Sequence, residues 1–282
     1  MPTVKEALQV GKKMLGAESG LDAELLLAFL LTNGDRSRLL TMEPNTAIDS
    51  GLYDNYLKLI ERRRKDEPIS QILGYKYFWD HKFIVDSNVL TPRADTELII
   101  EKSLKFFPDT SSELAILDLG TGSGCLAVTL ADIYNNAVVD AVDISEDALS
   151  IAKKNADHIG VNERINFILS NWFENIDNSR KYDLIVSNPP YIPIDEWQSL
   201  MPDVKNYEPF IALSDGGDGL AYYRNIAELA HQYMLSSSRL IVEFGLGQEK
   251  TIPSIFLKYE LIEISKDLAG ICRCASFRIK KL

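Results

Sequence analysis

From residue 114 onward, short apolar runs recur with helix-length segments between them. The runs cover 114–119, 138–142, 165–169, 182–187, 239–244, 261–265 and 274–279, and helical patterns fit near 125–133, 146–157, 221–234 and 248–258. A strand that is apolar at nearly every position has both faces buried. Such strands alternating with helices indicate a mostly parallel sheet wrapped by helices, an α/β architecture. The last two runs lie close together, so they are expected to pair antiparallel at one edge of the sheet.

The preceding chain has a different pattern. Val4, Ala7, Leu8, Met14 and Leu15 are spaced for one amphipathic helix, and Leu25, Leu26, Phe29 and Leu30 for a second that Asp22 can cap. A third is expected from about Ser50, with Leu52, Tyr56, Leu57 and Ile60 on one side. It ends in Arg62-Arg63-Arg64-Lys65, where cations suit the helix dipole. Tyr75, Tyr77, Phe78, Trp79, Phe83, Ile84 and Val85 are strand formers broken by Asp80-His81, the pattern of a β-hairpin. Pro92 then introduces a helix bearing Leu98, Ile99, Ile100 and Leu104. The expected division is a helical domain over 1–70, a hairpin linker over 71–92 and the α/β domain over 93–282.

The formal net charge of −11 argues against a chain whose main partner is bare nucleic acid. No apolar run has the length of a membrane span, and the N-terminus lacks the basic and apolar regions of a signal peptide, so a cytoplasmic location is expected. Cys125, Cys272 and Cys274, with His81, His158 and His231 scattered elsewhere, show no metal-ligand spacing; buried free thiols and no metal are expected.

Residues that could carry chemistry gather at the carboxyl ends of the expected strands. Gly120-Thr121-Gly122-Ser123-Gly124 follows Leu117-Asp118-Leu119 and precedes a helix. Glycine lets a ligand approach the backbone, and the helix N-terminus offers free N–H groups. Asp143 ends the next strand, the place of a ribose-binding carboxylate in such folds. A glycine loop with such an acid suits either NAD or S-adenosylmethionine. The second conspicuous motif is Asn188-Pro189-Pro190-Tyr191, after the strand at 182–187. Consecutive prolines fix the backbone, so an amide, a carbonyl and an aromatic ring are held together in a stiff loop. That set suits a planar NH2 group beside a cationic cofactor. It has no role in hydride transfer, and the glycine spacing is not that of the dinucleotide loop; both favour the methyl donor.

The chain resembles the bacterial protein-(glutamine-N5) methyltransferases of the HemK/PrmC family, which modify class-I peptide-chain release factors. The resemblance covers most of the chain: Glu67-Pro68 to Gln71 and Gly74, Phe78-Trp79, Leu90-Thr91-Pro92-Arg93-Ala94-Asp95-Thr96-Glu97, and the glycine loop. It continues through Asn171-Trp172-Phe173, Asn188-Pro189-Pro190-Tyr191-Ile192, Tyr207-Glu208-Pro209 and Asp215-Gly216-Gly217-Asp218-Gly219-Leu220. Glu243-Phe244-Gly245 with Gln248, and Asp267-Leu268-Ala269-Gly270, complete it. Family members usually have proline in place of Ala94, and often aspartate in place of Asn171.

The resemblance implies a class-I S-adenosylmethionine-dependent methyltransferase fold, Rossmann-like with a seven-stranded sheet, a helical N-terminal domain for substrate recognition and a hairpin linker. It implies that Gly120, Thr121, Gly122, Ser123 and Gly124 wrap the methionine part of S-adenosyl-L-methionine, that Asp143 binds the ribose and that Trp172 lies against the adenosine, with S-adenosyl-L-homocysteine as product. Asp118 could orient the cofactor's amino group. Asn188, Pro189, Pro190 and Tyr191 would bind the glutamine of a Gly-Gly-Gln segment. Asn188 and the Pro189 carbonyl would accept its N–H bonds, and Tyr191 would pack on the amide and face the sulfonium. Asn188 also borders the cofactor. The expected partners are class-I release factors, met by a monomer that supports translation termination, with no membrane and no sequence-specific nucleic acid. The alternatives are the sister glutamine methyltransferase of a large-subunit ribosomal protein and a nucleic-acid amino methyltransferase, whose target NH2 groups are also planar.

Overall fold

The structure, a computed structural model, describes residues 1–16 and 19–280. Its contacts divide the chain into two compact units, Met1–Tyr75 with Met201–Tyr207, and Lys76–Leu200 with Glu208–Leu282.

The first unit contains α1 (Val4–Leu15), α2 (Gly20–Leu31), α3 (Arg36–Leu40), α4 (Ser50–Arg64) and α5 (Ile69–Leu73). Thr3 and Glu6 form a reciprocal capping box at α1, and the Asp49 carboxylate caps α4. Asp22 does not cap α2. Ser19 holds that position, and Asp22 lies in the first turn, paired with Arg63 at 2.7 Å. Arg62 and Arg64 likewise end on Glu67 and Glu61, so each arginine of the basic run has a carboxylate partner. The core gathers Leu26, Leu27, Leu39, Tyr56, Ile60 and Ile72, and the Tyr56 hydroxyl donates to the Ala23 carbonyl at 3.3 Å. The distant segment Met201–Tyr207 joins this unit through Gln71, which donates to the Tyr207 carbonyl, and through the Tyr207 hydroxyl, which donates to the Lys65 carbonyl.

The hairpin strands are β1 (Tyr75–Phe78) and β2 (His81–Ile84). His81 opens the second strand, and the turn is Trp79-Asp80, with Trp79 in the left-handed region at φ 51°. The second unit continues with α6 (Glu97–Phe106), β3 (Ala115–Leu119), α7 (Cys125–Ile133), β4 (Val138–Asp143), α8 (Glu146–Ile159), β5 (Ile165–Leu169) and β6 (Tyr182–Ser187). After α9 (Pro202–Tyr207), which belongs to the first unit, come α10 (Ala221–Leu229), β7 (Met234–Glu243), α11 (Thr251–Ile255), β8 (Tyr259–Lys266) and β9 (Cys272–Ile279).

Seven strands form one sheet in the order β5-β4-β3-β6-β7-β9-β8. β5, β4, β3, β6 and β7 run parallel, while β9 is antiparallel to both β7 and β8. The last strand therefore inserts between its two predecessors. Side chains alternate between two cores: Ile116, Leu184, Val186 and Ile241 face the helices α6 and α7, while Leu117, Leu119, Ile185 and Val242 face α10 and α11. Helix α11 is shorter than its apolar pattern suggests because Pro253 fits only a first turn. Strand β7 is longer, because its polar start, Ser236 to Ser238, carries no apolar signal. No helix among the described residues is long and apolar enough to cross a membrane. Cys274 is buried, whereas Cys125 and Cys272 are only half-buried, so the expectation of buried thiols holds for one of the three.

Helices α7 and α8 meet at Gly124, which starts α7 with φ +80°. A Cβ there would lie 2.9 Å from Ala152 Cβ and 3.1 Å from its Cα. At Gly122, φ is +54° but a Cβ would meet nothing within 4 Å. Gly122→Ala should therefore cost only left-handed strain, about 1–2 kcal/mol. Gly124→Ala should cost about 2–4 kcal/mol, because overpacking is added. Urea unfolding of the two variants measures the difference.

Candidate functional site

The carboxyl ends of β3, β4, β5 and β6 lie side by side, with Leu119 opposite both Val142 and Ser187, and Asp143 opposite Leu169. Strand order reverses at β3, so this is the crevice where open α/β sheets take ligands. The buried Ser187 hydroxyl donates to the Leu119 carbonyl at 2.7 Å and ties together the two strand ends from which Gly120 and Asn188 leave.

The glycine loop is held from below by Asp118. This carboxyl is fully buried. Its Oδ2 accepts from the Thr121 hydroxyl at 2.7 Å and from the Ala127 N–H at 3.1 Å, and so joins strand, loop and the first turn of α7. Its Oδ1 is buried without a partner among the described residues. Burial pushes its pKa up to about 7 against the pull of these two donors. From the side, Asn155 of α8 donates to the carbonyls of Ser123 and Ile84 and accepts from the Ile84 N–H, fastening loop and hairpin to one buried amide.

Asp143 closes the loop from above. Its Oδ2 accepts from Gly122 N–H at 2.8 Å and its Oδ1 from Ser145 N–H at 3.0 Å. Burial raises its pKa, with these backbone donors opposing the shift. Trp172 adopts φ 54°, a left-handed conformation that costs a bulky residue about 1–2 kcal/mol. Its ring is held 4.8 Å from that of Tyr222, tilted by 36°. Asn171, where the family often has aspartate, donates to Glu174 at 2.7 Å. Ala94, in place of the usual proline, opens the 3₁₀ turn Ala94–Thr96.

These residues surround a cleft of about 750 Å³, lined by Gly120, Gly122, Asp143, Trp172, Asn188 and Pro190 among others. A cavity of about 370 Å³ adjoins it and shares Leu90, Gly120, Gly122 and Asn188. Thr121 and Ser123 line only the smaller one, together with Arg93 and Thr96. Gly124 lines neither and serves helix packing. Asn188 thus stands where the two spaces meet, and its Nδ2 donates to the Thr96 hydroxyl at 3.0 Å. With one N–H committed to Thr96, the carbonyl oxygen is the acceptor Asn188 has to offer.

Pro189 is buried and, like Tyr191, lines neither space. The Tyr191 ring abuts Gly245, where a Cβ would lie 2.9 Å from it, and its hydroxyl reaches Glu243 Oε1 at 3.4 Å. Burial and the Glu243 charge both push the Tyr191 phenol well above its ordinary range. The turn at 215–220 backs this loop: the Asp215 carboxylate accepts from the N–H groups of Gly217, Gly219 and Ala221. A side chain at Gly219 would collide with the Tyr191 carbonyl, 2.3 Å from its Cβ position.

Reading the sequence assigned no role to Thr96, Arg93, Glu208, Tyr222 or Glu243. Glu208 is almost fully buried and pairs with Arg93 at 2.6 Å. All but Tyr222 fall inside the motifs that carry the family resemblance, and that was the available signal.

The site fits S-adenosylmethionine on its own chemistry. Asp143 is a hydroxyl acceptor, Trp172 and Tyr222 offer aromatic surface, and Gly122 leaves open backbone.

An aspartate in the unfolded chain titrates near 3.8, whereas Asp118 folded is pushed up to about 7. The folded state therefore holds an extra proton between these values. The stability from this group is fully present below about pH 4 and is lost as pH rises through about 7. Asp118→Asn carries no such charge. Its stability relative to the native protein should rise by about 2 kcal/mol between pH 5 and pH 8, a change that urea unfolding at both pH values would record.

Residues 97–200 match the family described as "Methyltransferase small domain", and residues 6–74 match the "PrmC N-terminal domain". A "Release factor glutamine methyltransferase" of Geobacter sulfurreducens is 39% identical over 81% of this chain and 84% of its own length. One from Buchnera aphidicola is 35% identical, covering 90% of this chain and 89% of that protein. A "Bifunctional methyltransferase" of Rickettsia felis is 37% identical over 93% of this chain but 54% of its own length, so the chain spans about half of such relatives. Among solved structures, the human Mettl16 catalytic domain in complex with a MAT2A 3′UTR hairpin aligns with a TM-score of 0.57 at 12% identity, over 90% of this chain and 91% of that one. A ribosomal protein L11 methylase from Lactobacillus delbrueckii aligns at 0.50 with 18% identity, over 68% and 82%. At such identities these likenesses speak for the fold, the Rossmann-like class-I methyltransferase fold. The two release factor glutamine methyltransferases, matched over most of their own length, place the chain in the HemK/PrmC family.

Proposed function

We propose that the protein methylates the side-chain amide nitrogen of the glutamine in the Gly-Gly-Gln segment of class-I peptide-chain release factors, in the cytoplasm, with S-adenosylmethionine as donor. The observation that carries this reading is Asn188, at the junction of the two cavities with its nitrogen held by Thr96. The named relatives support the substrate.

An amide nitrogen is a poor nucleophile, because its lone pair is delocalised into the carbonyl. The site has to hold the NH2 group so that this lone pair is aimed, and to favour positive charge as it develops. Asn188 Oδ1 would accept one of its two N–H bonds, and the Pro189 carbonyl is the acceptor that the family resemblance implies for the other. Fixed acceptors gain strength as the nitrogen becomes cationic, at about 1.5–3 kcal/mol for each charge-assisted bond. The two prolines keep the backbone of this loop from following the substrate as it moves. Bound S-adenosylmethionine supplies an electrophilic methyl group on a sulfonium. Asp143 would hold its ribose hydroxyls, Trp172 with Tyr222 its adenine, and the loop from Gly120 to Ser123, with Asp118 Oδ1, its methionine end. No side chain has to be a strong base, because the methylated nitrogen is acidic and its proton can pass to solvent. The helical unit would grip the release factor away from the glutamine, and its match to the PrmC N-terminal domain supports that role.

Purified protein would be offered tritiated S-adenosylmethionine with release factor, ribosomal protein, DNA or RNA in separate reactions. Label should enter release factor and vanish when the Gly-Gly-Gln glutamine is replaced; label in nucleic acid alone would sink the proposal. Asn188→Ala should lower turnover by about 10²–10³-fold while cofactor binding survives.

A further inference from the structure

Asn188 can serve as an acceptor only if its amide is the right way round. Rotated by a half turn, it would present NH2 to the substrate and repel the group it must hold. The covalent structure does not choose between these orientations; the neighbours do. The neighbour here is Thr96, at the end of the 3₁₀ turn before α6 and 2% exposed.

A hydroxyl can accept from an amide N–H or donate to an amide oxygen. Which it does depends on where its own proton is drawn. The Thr96 hydroxyl lies against Glu243 and pulls its carboxyl downward, although burial sets the net shift upward, to about 7. Glu243 is itself 2% exposed at the end of β7. One of its oxygens receives the Tyr191 hydroxyl, and Oε2 is buried with no donor at full hydrogen-bond geometry among the described residues. In its ionised form this carboxyl, with Oε2 lacking a donor, draws the nearest available proton. Thr96 is the hydroxyl beside it, and giving up its proton there would leave its lone pairs to Asn188, the sense of the 3.0 Å bond from Asn188 Nδ2.

We propose that Thr96 is a positioning residue whose hydroxyl, turned toward Glu243, accepts from Asn188 Nδ2 and so fixes Oδ1 as the atom presented to the substrate amide. This rests on Asn188 being the acceptor. Thr96 touches neither the amide nor the methyl group in this scheme, and acts by removing the wrong orientation of Asn188. The same carboxyl anchors Tyr191, so both ends of the tetrapeptide are set by Glu243.

The test compares Thr96→Val, which keeps shape but loses the hydroxyl, with Thr96→Ser, which keeps the hydroxyl, and with Glu243→Gln. Turnover on release factor and the affinity for S-adenosylhomocysteine by calorimetry are measured on the full chain. Thr96→Val should lower kcat about tenfold or more, the effect of one misdirected hydrogen bond. Affinity for S-adenosylhomocysteine should stay within about threefold, and Thr96→Ser should recover most of kcat. Glu243→Gln, whose amide can donate to Thr96 and reverse the chain of protons, should also lower kcat at unchanged affinity. Native turnover in Thr96→Val, or equal damage in Thr96→Ser, would overturn the proposal. If Thr96→Val does not fold, native turnover in Glu243→Gln overturns it instead. Asn188→Ala separates the two levels. If it is inactive while Thr96→Val is normal, the positioning role alone fails; if it is active, the acceptor reading fails first.

Discussion

The Asp118 carboxyl is the contact on which the cleft depends. One oxygen binds the Thr121 hydroxyl and the Ala127 N–H, so a single buried group dictates where β3 ends, how the glycine loop turns and where α7 begins. A carboxyl in such a place is costly unless it stays protonated or is fully hydrogen-bonded. Here it is half satisfied, with Oδ1 left over. Asn155 and Gly124 do the rest by pinning loop and helix to α8, one by hydrogen bonds and the other by having no side chain to push them apart.

The sheet was legible because burial on both faces removes the need for polar positions, and runs such as 182–187 report that directly. What escaped were features decided by contact rather than pattern. The start of β7 is strand because Met234 pairs with Tyr182, and the register shifts across Ser236–Ser238 before Arg239 pairs with Leu184. The 201–207 segment joins the helical unit through Gln71 and Tyr207, a pairing across more than a hundred residues that no local periodicity records. The ends of β3, β4 and β6 carry Gly120, Gly122, Asp143 and Asn188 into one cleft, and strand ends can be read in order along a chain. Tyr222 lies on α10 and Glu243 ends β7, so their meeting with Trp172 and Tyr191 depends on how the strands are ordered.

The tetrapeptide shows why stiffness alone does not define a site. Pro189 and Pro190 fix the path of the backbone, but an amide at Asn188 can still rotate and a phenol at Tyr191 can still swing. Both are stopped by groups outside the motif: Thr96 for Asn188, and Gly245 with Glu243 for Tyr191. Because Tyr191 faces Glu243 and lines neither cavity, its contribution is better understood as fixing the loop than as stacking on the substrate. Glu243 touches Tyr191 directly and lies beside Thr96, the partner of Asn188, so the two ends of the motif have neighbours in common. In the proposed reaction the site presents an acceptor, not a donor, to a neutral amide, and it would gain from that arrangement because an acid deep in the fold would then set the polarity of the Asn188 side chain at the cleft.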